Sequence, residues 1–166
     1  MIPMIREKTF HTPCQEEVYR QVGGFLDDLV DQHFDDAEHC DFYLKFGTTL
    51  VEISINPYEQ DDAVVEILAY VVHGVTPSLE LMRELLSVNA QVPMGAFSVV
   101  HNDVYFSHAF LGRRLDPDQF LASLSHVAMV ADEYDDQIVG QFGGERALDR
   151  LRSISQRKAE AQAHSN

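Results

Sequence analysis

The chain has no tryptophan, only two cysteines, and only 12 Lys and Arg against 27 Asp and Glu in its 166 residues. Each shortage excludes a class of protein. Cys14 and Cys40 cannot form a framework of disulfides, so a reducing cytoplasm is the expected compartment. The first residues, Met-Ile-Pro-Met-Ile-Arg-Glu-Lys, lack the charged region and long apolar run of a secretory signal. No apolar segment approaches the ~18 residues that span a bilayer, and a soluble protein is expected. The net charge of −15 repels nucleic acid and anionic membranes at long range, so neither is expected as a partner.

Recognisable chemical motifs are also missing. Gly143-Gly144 follows a helical pattern instead of leading into one from a strand, so it reads as a helix stop and not a phosphate loop. Eight histidines invite a metal reading, and His33 and His39 with Cys40 and Asp41 come nearest to a ligand set. Adjacent residues on a strand point to opposite faces, however, and no second Cys or His pair completes four ligands. The acidic runs Asp35-Asp36-Ala37-Glu38 and Asp132-Glu133-Tyr134-Asp135-Asp136 lack the alternating ligands, glycine and closing glutamate of a calcium loop. They read as solvated, repulsive surface. Cys14 falls in the first turn of a predicted helix, where the dipole can favour a thiolate. No cofactor is implied. A small metal- or thiol-dependent enzyme using the His39, Cys40 and Asp41 neighbourhood is the alternative to a binding protein.

The local grammar, by contrast, is explicit. Thr12-Pro13-Cys14-Gln15 supplies a capping hydroxyl, a proline at the first helical position and a glutamine three residues after the cap. Val18, Val22, Phe25 and Leu29 then recur at helical spacing, which predicts a helix ending near Phe34. Residues 41–56 alternate as two strands joined near Gly47-Thr48, and 64–72 form a third strand, apolar on both sides apart from Glu66 and so expected inside the sheet. Thr76-Pro77 repeats the cap-then-proline device before a short helix running to about Ala90. Asp116-Pro117-Asp118-Gln119 repeats it again before a long helix that stops at Gly143-Gly144, with Asp132, Glu133, Asp135 and Asp136 on its outward face. Ala147, Leu148, Leu151 and Ile154 predict a last helical turn or two before a fraying polar end. Past Gly143 the charge is 5 − 3 = +2, so this tail is expected to lie against an acidic surface, its own or a partner's.

Between the second and third helices, residues 94–111 read as a hairpin turning at Asn102-Asp103. That turn sets His101 opposite Val104, Val99 opposite Phe106 and Phe97 opposite His108 on one face. Ser98, Val100, Tyr105 and Ser107, with Ala96 and Ala109, share the other, a mixed face suited to a dimer seam or a client segment. The expected fold is α+β, an antiparallel five-stranded sheet with helices packed on it, in the order α-β-β-β-α-β-β-α. The expected division is an N-terminal extension over 1–12, a single domain over 13–144, and a helical then polar basic tail over 145–166.

Leu81-Met82-Arg83-Glu84-Leu85-Leu86-Ser87-Val88-Asn89, the hairpin strands, and Val130-Ala131-Asp132-Glu133-Tyr134-Asp135-Asp136 with Phe142-Gly143-Gly144 resemble the YbjN-like family of bacterial proteins. The resemblance implies a fold similar to class I type III secretion chaperones, small acidic cytoplasmic proteins that dimerise and bind unfolded segments of clients. No catalytic residue comes with it. The chain departs from the family in lacking tryptophan and in its basic tail. The expectation is a non-enzymatic, homodimeric protein- or peptide-binding module, chaperone-like or regulatory, that meets its partner at Ser98, Val100, Tyr105 and Ser107.

Overall fold

Helix α1 (Pro13–Leu29) starts where its cap chemistry puts it, the Thr12 hydroxyl accepting from the Gln15 amide at 3.1 Å. The Gln15 side chain accepts from the His11 amide and donates to the Ile55 carbonyl, both at 2.8 Å, so the capping segment also fastens the helix to the sheet. These contacts belong to a computed structural model that describes residues 10–36 and 38–163. The helix stops before the predicted end near Phe34. Phe34 instead opens a short strand, β1 (Phe34–Asp36), which pairs with β2 (Asp41–Phe46) and covers its otherwise open edge.

The chain continues through β3 (Thr49–Tyr58), β4 (Asp62–His73), α2 (Leu79–Asn89), β5 (Ala96–Val100), β6 (Asp103–Leu111), α3 (Pro117–Phe142), β7 (Glu145–Arg146) and α4 (Ala147–Ala163). The strands form one antiparallel sheet in the order β1-β2-β3-β4-β6-β5, with β7 paired to the end of β4. Among the described residues seven strands stand where five were expected. The additions, β1 and β7, have three and two residues, too few to leave a period in the sequence. β4, apolar on both sides over 64–72 apart from Glu66, lies between β3 and β6 as expected.

One face of this sheet holds the core. Phe42, Val51, Ile53, Ile55, Val65, Ile67 and Phe106 are buried there, and α1 and α3 close over them. Full burial of each such side chain contributes about 1.5–3 kcal/mol. Asp116 caps α3 by accepting from the Asp118 and Gln119 amides, both at 3.0 Å.

Two local expectations shift. The cap of α2 is Ser78, whose hydroxyl accepts from the Leu81 amide at 3.1 Å, and not Thr76. Starting there turns Leu81, Leu85 and Val88 inward. The hairpin turns at His101-Asn102 instead of Asn102-Asp103, so Val100 faces Asp103, Val99 faces Val104 and Phe97 faces Phe106. The physical cause lies at the end of β4. The Gly74 amide donates to Asp103 Oδ1 at 3.1 Å, His73 Nδ1 lies 2.7 Å from the same oxygen, and the Val75 amide donates to the Asn102 carbonyl at 2.8 Å. Those contacts draw Asp103 into the strand and leave His101 to take the positive φ of 55°. Because each residue's partner moves by two, no side chain changes face.

Candidate functional site: the outer face of the sheet

The face turned away from α1 and α3 is built from register rows that cross the strands. One row runs Phe34, Tyr43, Glu52, Leu68, Ser107, Ala96, and the next runs Lys45, Leu50, Tyr70, Tyr105, Ser98. Ser98 and Tyr105 are direct partners, Ser107 is opposite Ala96, and Val100, 51% exposed, is opposite Asp103 at the corner of the sheet. The four residues singled out from the sequence therefore share this face. Sequence reasoning missed Tyr43, Leu50, Glu52 and Tyr70, although each sits at an outward position of its alternating strand.

The polar residues among them gather about Glu52. The Tyr70 hydroxyl donates to Glu52, and Ser54 Oγ donates to the same carboxylate at 3.2 Å. The Tyr105 ring meets the Tyr70 ring edge-on, with centroids 5.3 Å apart. Burial and then the Glu52 charge push the Tyr43 hydroxyl up to about 12. Burial and the bond to Glu52 raise Tyr70, and burial and the Asp103 charge raise Tyr105. Near neutral pH the three hydroxyls are donors and not bases, so the cluster offers contact and hydrogen bonds.

At one end this face is roofed by α4. A cleft of about 290 Å³ lies between Ala147, Arg150 and Leu151 on the helix and Leu50, Tyr70, Val72, His73, Asp103, Val104 and Tyr105 on the sheet. β7 pairs Arg146 with Val72 and Glu145 with His73, and the Leu148 amide donates to the Thr48 carbonyl at 3.4 Å. Arg146 reaches Asp149 at 2.7 Å and Asp136 of α3 at 3.1 Å. Asp149 belongs to the tail, so Asp136 is the one carboxylate outside it, among the described residues, that a tail cation pairs with. The helix runs to Ala163, well past the expected turn or two, over a segment of Arg, Lys, Gln, Glu and Ala that favours helix intrinsically.

The acidic segment of α3 is only partly the solvated face expected of it. Asp135 is 1% exposed and its Oδ2 accepts from the Thr48 hydroxyl at 2.6 Å, while Asp132 Oδ1 accepts from the Thr48 amide at 3.0 Å. Gly47, at φ +56°, makes this clamp possible, since a Cβ there would stand 2.3 Å from Asp132 Oδ1. Asp135 Oδ1 is buried without a hydrogen-bond partner, and burial holds its carboxyl above the ordinary range. The segment joins α3 to the β2–β3 turn. Glu133 and Asp136 are exposed.

The alternative site does not assemble. His39 is exposed and pairs with Asp36 at 3.0 Å, Cys40 is buried, and Asp41 is half-buried on the outer face. Among the described residues no group of three or more His, Cys, Asp or Glu could hold a metal ion. Burial and the neighbouring Asp62 raise the Cys14 thiol, opposite to the shift a thiolate nucleophile needs.

A family model described as T3SS (YopN, CesT) and YbjN peptide-binding chaperone 1, or TY-Chap1, matches residues 16–150. The chain belongs to this family. Among solved structures, the TY-Chap1 chain is similar to one in the crystal structure of the ExsC–ExsE complex, at 19% identity and a TM-score of 0.56, covering 74% of this chain and 93% of that one. YbjN from E. coli is 16% identical with a TM-score of 0.51, over 72% of this chain and 92% of YbjN. Both likenesses establish the fold, and the resemblance to YbjN-like proteins and secretion chaperones stands. No individually curated protein matches. Among the described residues no helix is long and apolar enough to cross a membrane.

Proposed function

We propose that this TY-Chap1 chain is a non-enzymatic module, chaperone-like or regulatory, that acts in the cytoplasm as a homodimer and grips a partner polypeptide on the outer sheet face at Ser98, Val100, Tyr105 and Ser107. The observation that carries the reading is the row Lys45, Leu50, Tyr70, Tyr105, Ser98, an aromatic and aliphatic strip that crosses four strands and ends on edge strand β5. Such a strip gives apolar contact, and its hydroxyls orient a bound backbone. The family description, peptide-binding chaperone, supports it, as does a solved neighbour of the same fold held in complex, ExsC with ExsE. Asn89 favours the face over the edge. Its side chain accepts from the Phe97 amide at 2.6 Å and donates to the Phe97 carbonyl at 3.1 Å, which blocks strand addition at that point of β5. Leu79 and Leu86 of α2, 68% and 67% exposed, favour self-association.

The test is Tyr105→Asp. Its folding stability should fall by less than about 1.5 kcal/mol, because Tyr105 is only half-buried. Binding to a peptide array should fall by about tenfold or more, as expected of an interface aromatic, or the particle seen by light scattering should go from dimer to monomer. A variant that keeps both the wild-type mass and wild-type peptide binding refutes the reading.

A further inference from the structure

The helix that roofs the cleft differs from the other three. α1, α2 and α3 each bury a stripe, whereas α4 has no buried residue along its 17. Its ties are the two-residue ladder of β7, the 3.4 Å bond from Leu148 to Thr48, and the two carboxylates held by Arg146. A helix held this way can leave without opening the core.

Charge shows what the face selects. The segment after Gly144 carries 5 − 3 = +2, so the remaining 144 residues carry −15 − 2 = −17. On the outer face the register places Asp36, Asp41, Glu52, Glu66 and Asp103, with Lys45 the one formal cation on these rows among the described residues. α4 answers that pattern. Leu151 and Ala147 line the same cleft as Leu50, Tyr70 and Tyr105, and Arg150, which pairs with Glu145 at 3.8 Å, lines it together with Asp103.

We infer that the outer face takes a basic amphipathic helix of the partner polypeptide, and that α4 occupies part of that face in cis as its resident competitor. The inference rests on reading this face as the partner-binding surface, and it adds both the chemistry of the partner and a device that sets the affinity. The partner presents aliphatic residues on one side of a helix with arginines flanking them. Its apparent affinity is lowered by the fraction of molecules in which α4 is seated.

The experiment uses the full chain and, as probe, a fluorescent synthetic peptide with the sequence of residues 145–163. Leu151→Glu removes the main apolar contact of α4 and sets a carboxylate against an acidic face. This variant should bind the probe about tenfold or more tightly than the wild type, which carries the competitor in cis. A probe with Arg146, Arg150 and Arg152 replaced by Glu should lose that binding. Circular dichroism checks the fold. Arg146→Ala, which releases the ties to Asp136 and Asp149 without touching the cleft, should raise probe affinity several-fold by the same competition. Equal affinity of wild type and both variants overturns the inference, as does undiminished binding of the charge-reversed probe. A change in oligomeric mass with no change in probe affinity also overturns it, because the occupant of the face would then be a second copy. If Tyr105→Asp abolishes peptide-array binding while probe affinity ignores Leu151→Glu, the face remains the binding surface and only the cis competitor falls.

Discussion

The two faces of the sheet are built from the same strands and solved differently. Along β3, Val51, Ile53 and Ile55 are fully buried beneath α1 and α3, while the intervening Leu50, Glu52 and Ser54 remain half-buried on the other side. The inner face closes by apolar area, which is non-directional and needs a permanent cover. The outer face is covered only in part, by a tyrosine–carboxylate cluster and a helix with no buried residue. An antiparallel sheet can commit one face to the core and leave the other only partly covered, and the proposed partner contact would use that second face.

Neighbouring residues of β6 can break this comparison most sharply. Phe106 is 0% exposed on the inner face, in edge contact with Phe97, whereas Tyr105 points outward. Phe106→Ala is expected to cost about 3–5 kcal/mol in urea denaturation, the transfer term plus the cavity. Tyr105→Ala should cost less than about 1.5 kcal/mol, because Tyr105 is only partly buried and leaves no closed cavity behind. Similar losses would mean that the outer face is a second core.

Asp135 sharpens the comparison from the other side, as a carboxyl placed where the inner face would have an apolar group. Burial raises its folded pKa above the ordinary 3.8, so between those values the folded chain keeps a proton that the unfolded chain has released. Its contribution is therefore fully present below 3.8 and is lost as the pH rises through the folded value. Asp135→Asn keeps an acceptor for Thr48 and removes the charge. Denaturation at a series of pH values should show the variant gaining on the wild type from about pH 4 toward neutrality. A constant difference would show that the folded carboxyl titrates as it does in the unfolded chain.

What could be read from residue order follows how local the cause is. The caps at Thr12 and Asp116 and the stop at Gly143 depend on three or four consecutive residues, and each stands where it was placed. Period-two alternation put Ser98, Val100, Tyr105 and Ser107 on one face even though the turn was misplaced, because the true register differs by an even step. The turn was misplaced because its cause, the end of β4 holding Asp103 and Asn102, lies 29 residues from the aspartate. Asp135 looked solvated because the hydroxyl that engages it, Thr48, is 87 residues away. The tail was known to be basic, but its seat on the tyrosine row depends on β7, a strand of two residues.

The smallest expected effect tests how the outer face is held. The Tyr70 hydroxyl donates to Glu52, and so does Ser54 Oγ, so Tyr70→Phe removes one donor and leaves the carboxylate another besides solvent. The ring, its edge contact with Tyr105 and its wall of the cleft are kept. A hydrogen bond between partly exposed groups that can rehydrate contributes about 0.5–1.5 kcal/mol, and with Ser54 still in place the loss should fall at the lower end. Thermal or urea unfolding of Tyr70→Phe should therefore barely separate from the wild type. A loss approaching that of Phe106→Ala would mean that Glu52 depends on Tyr70 for its burial, in which case the cluster is part of the folding core and not a surface in reserve.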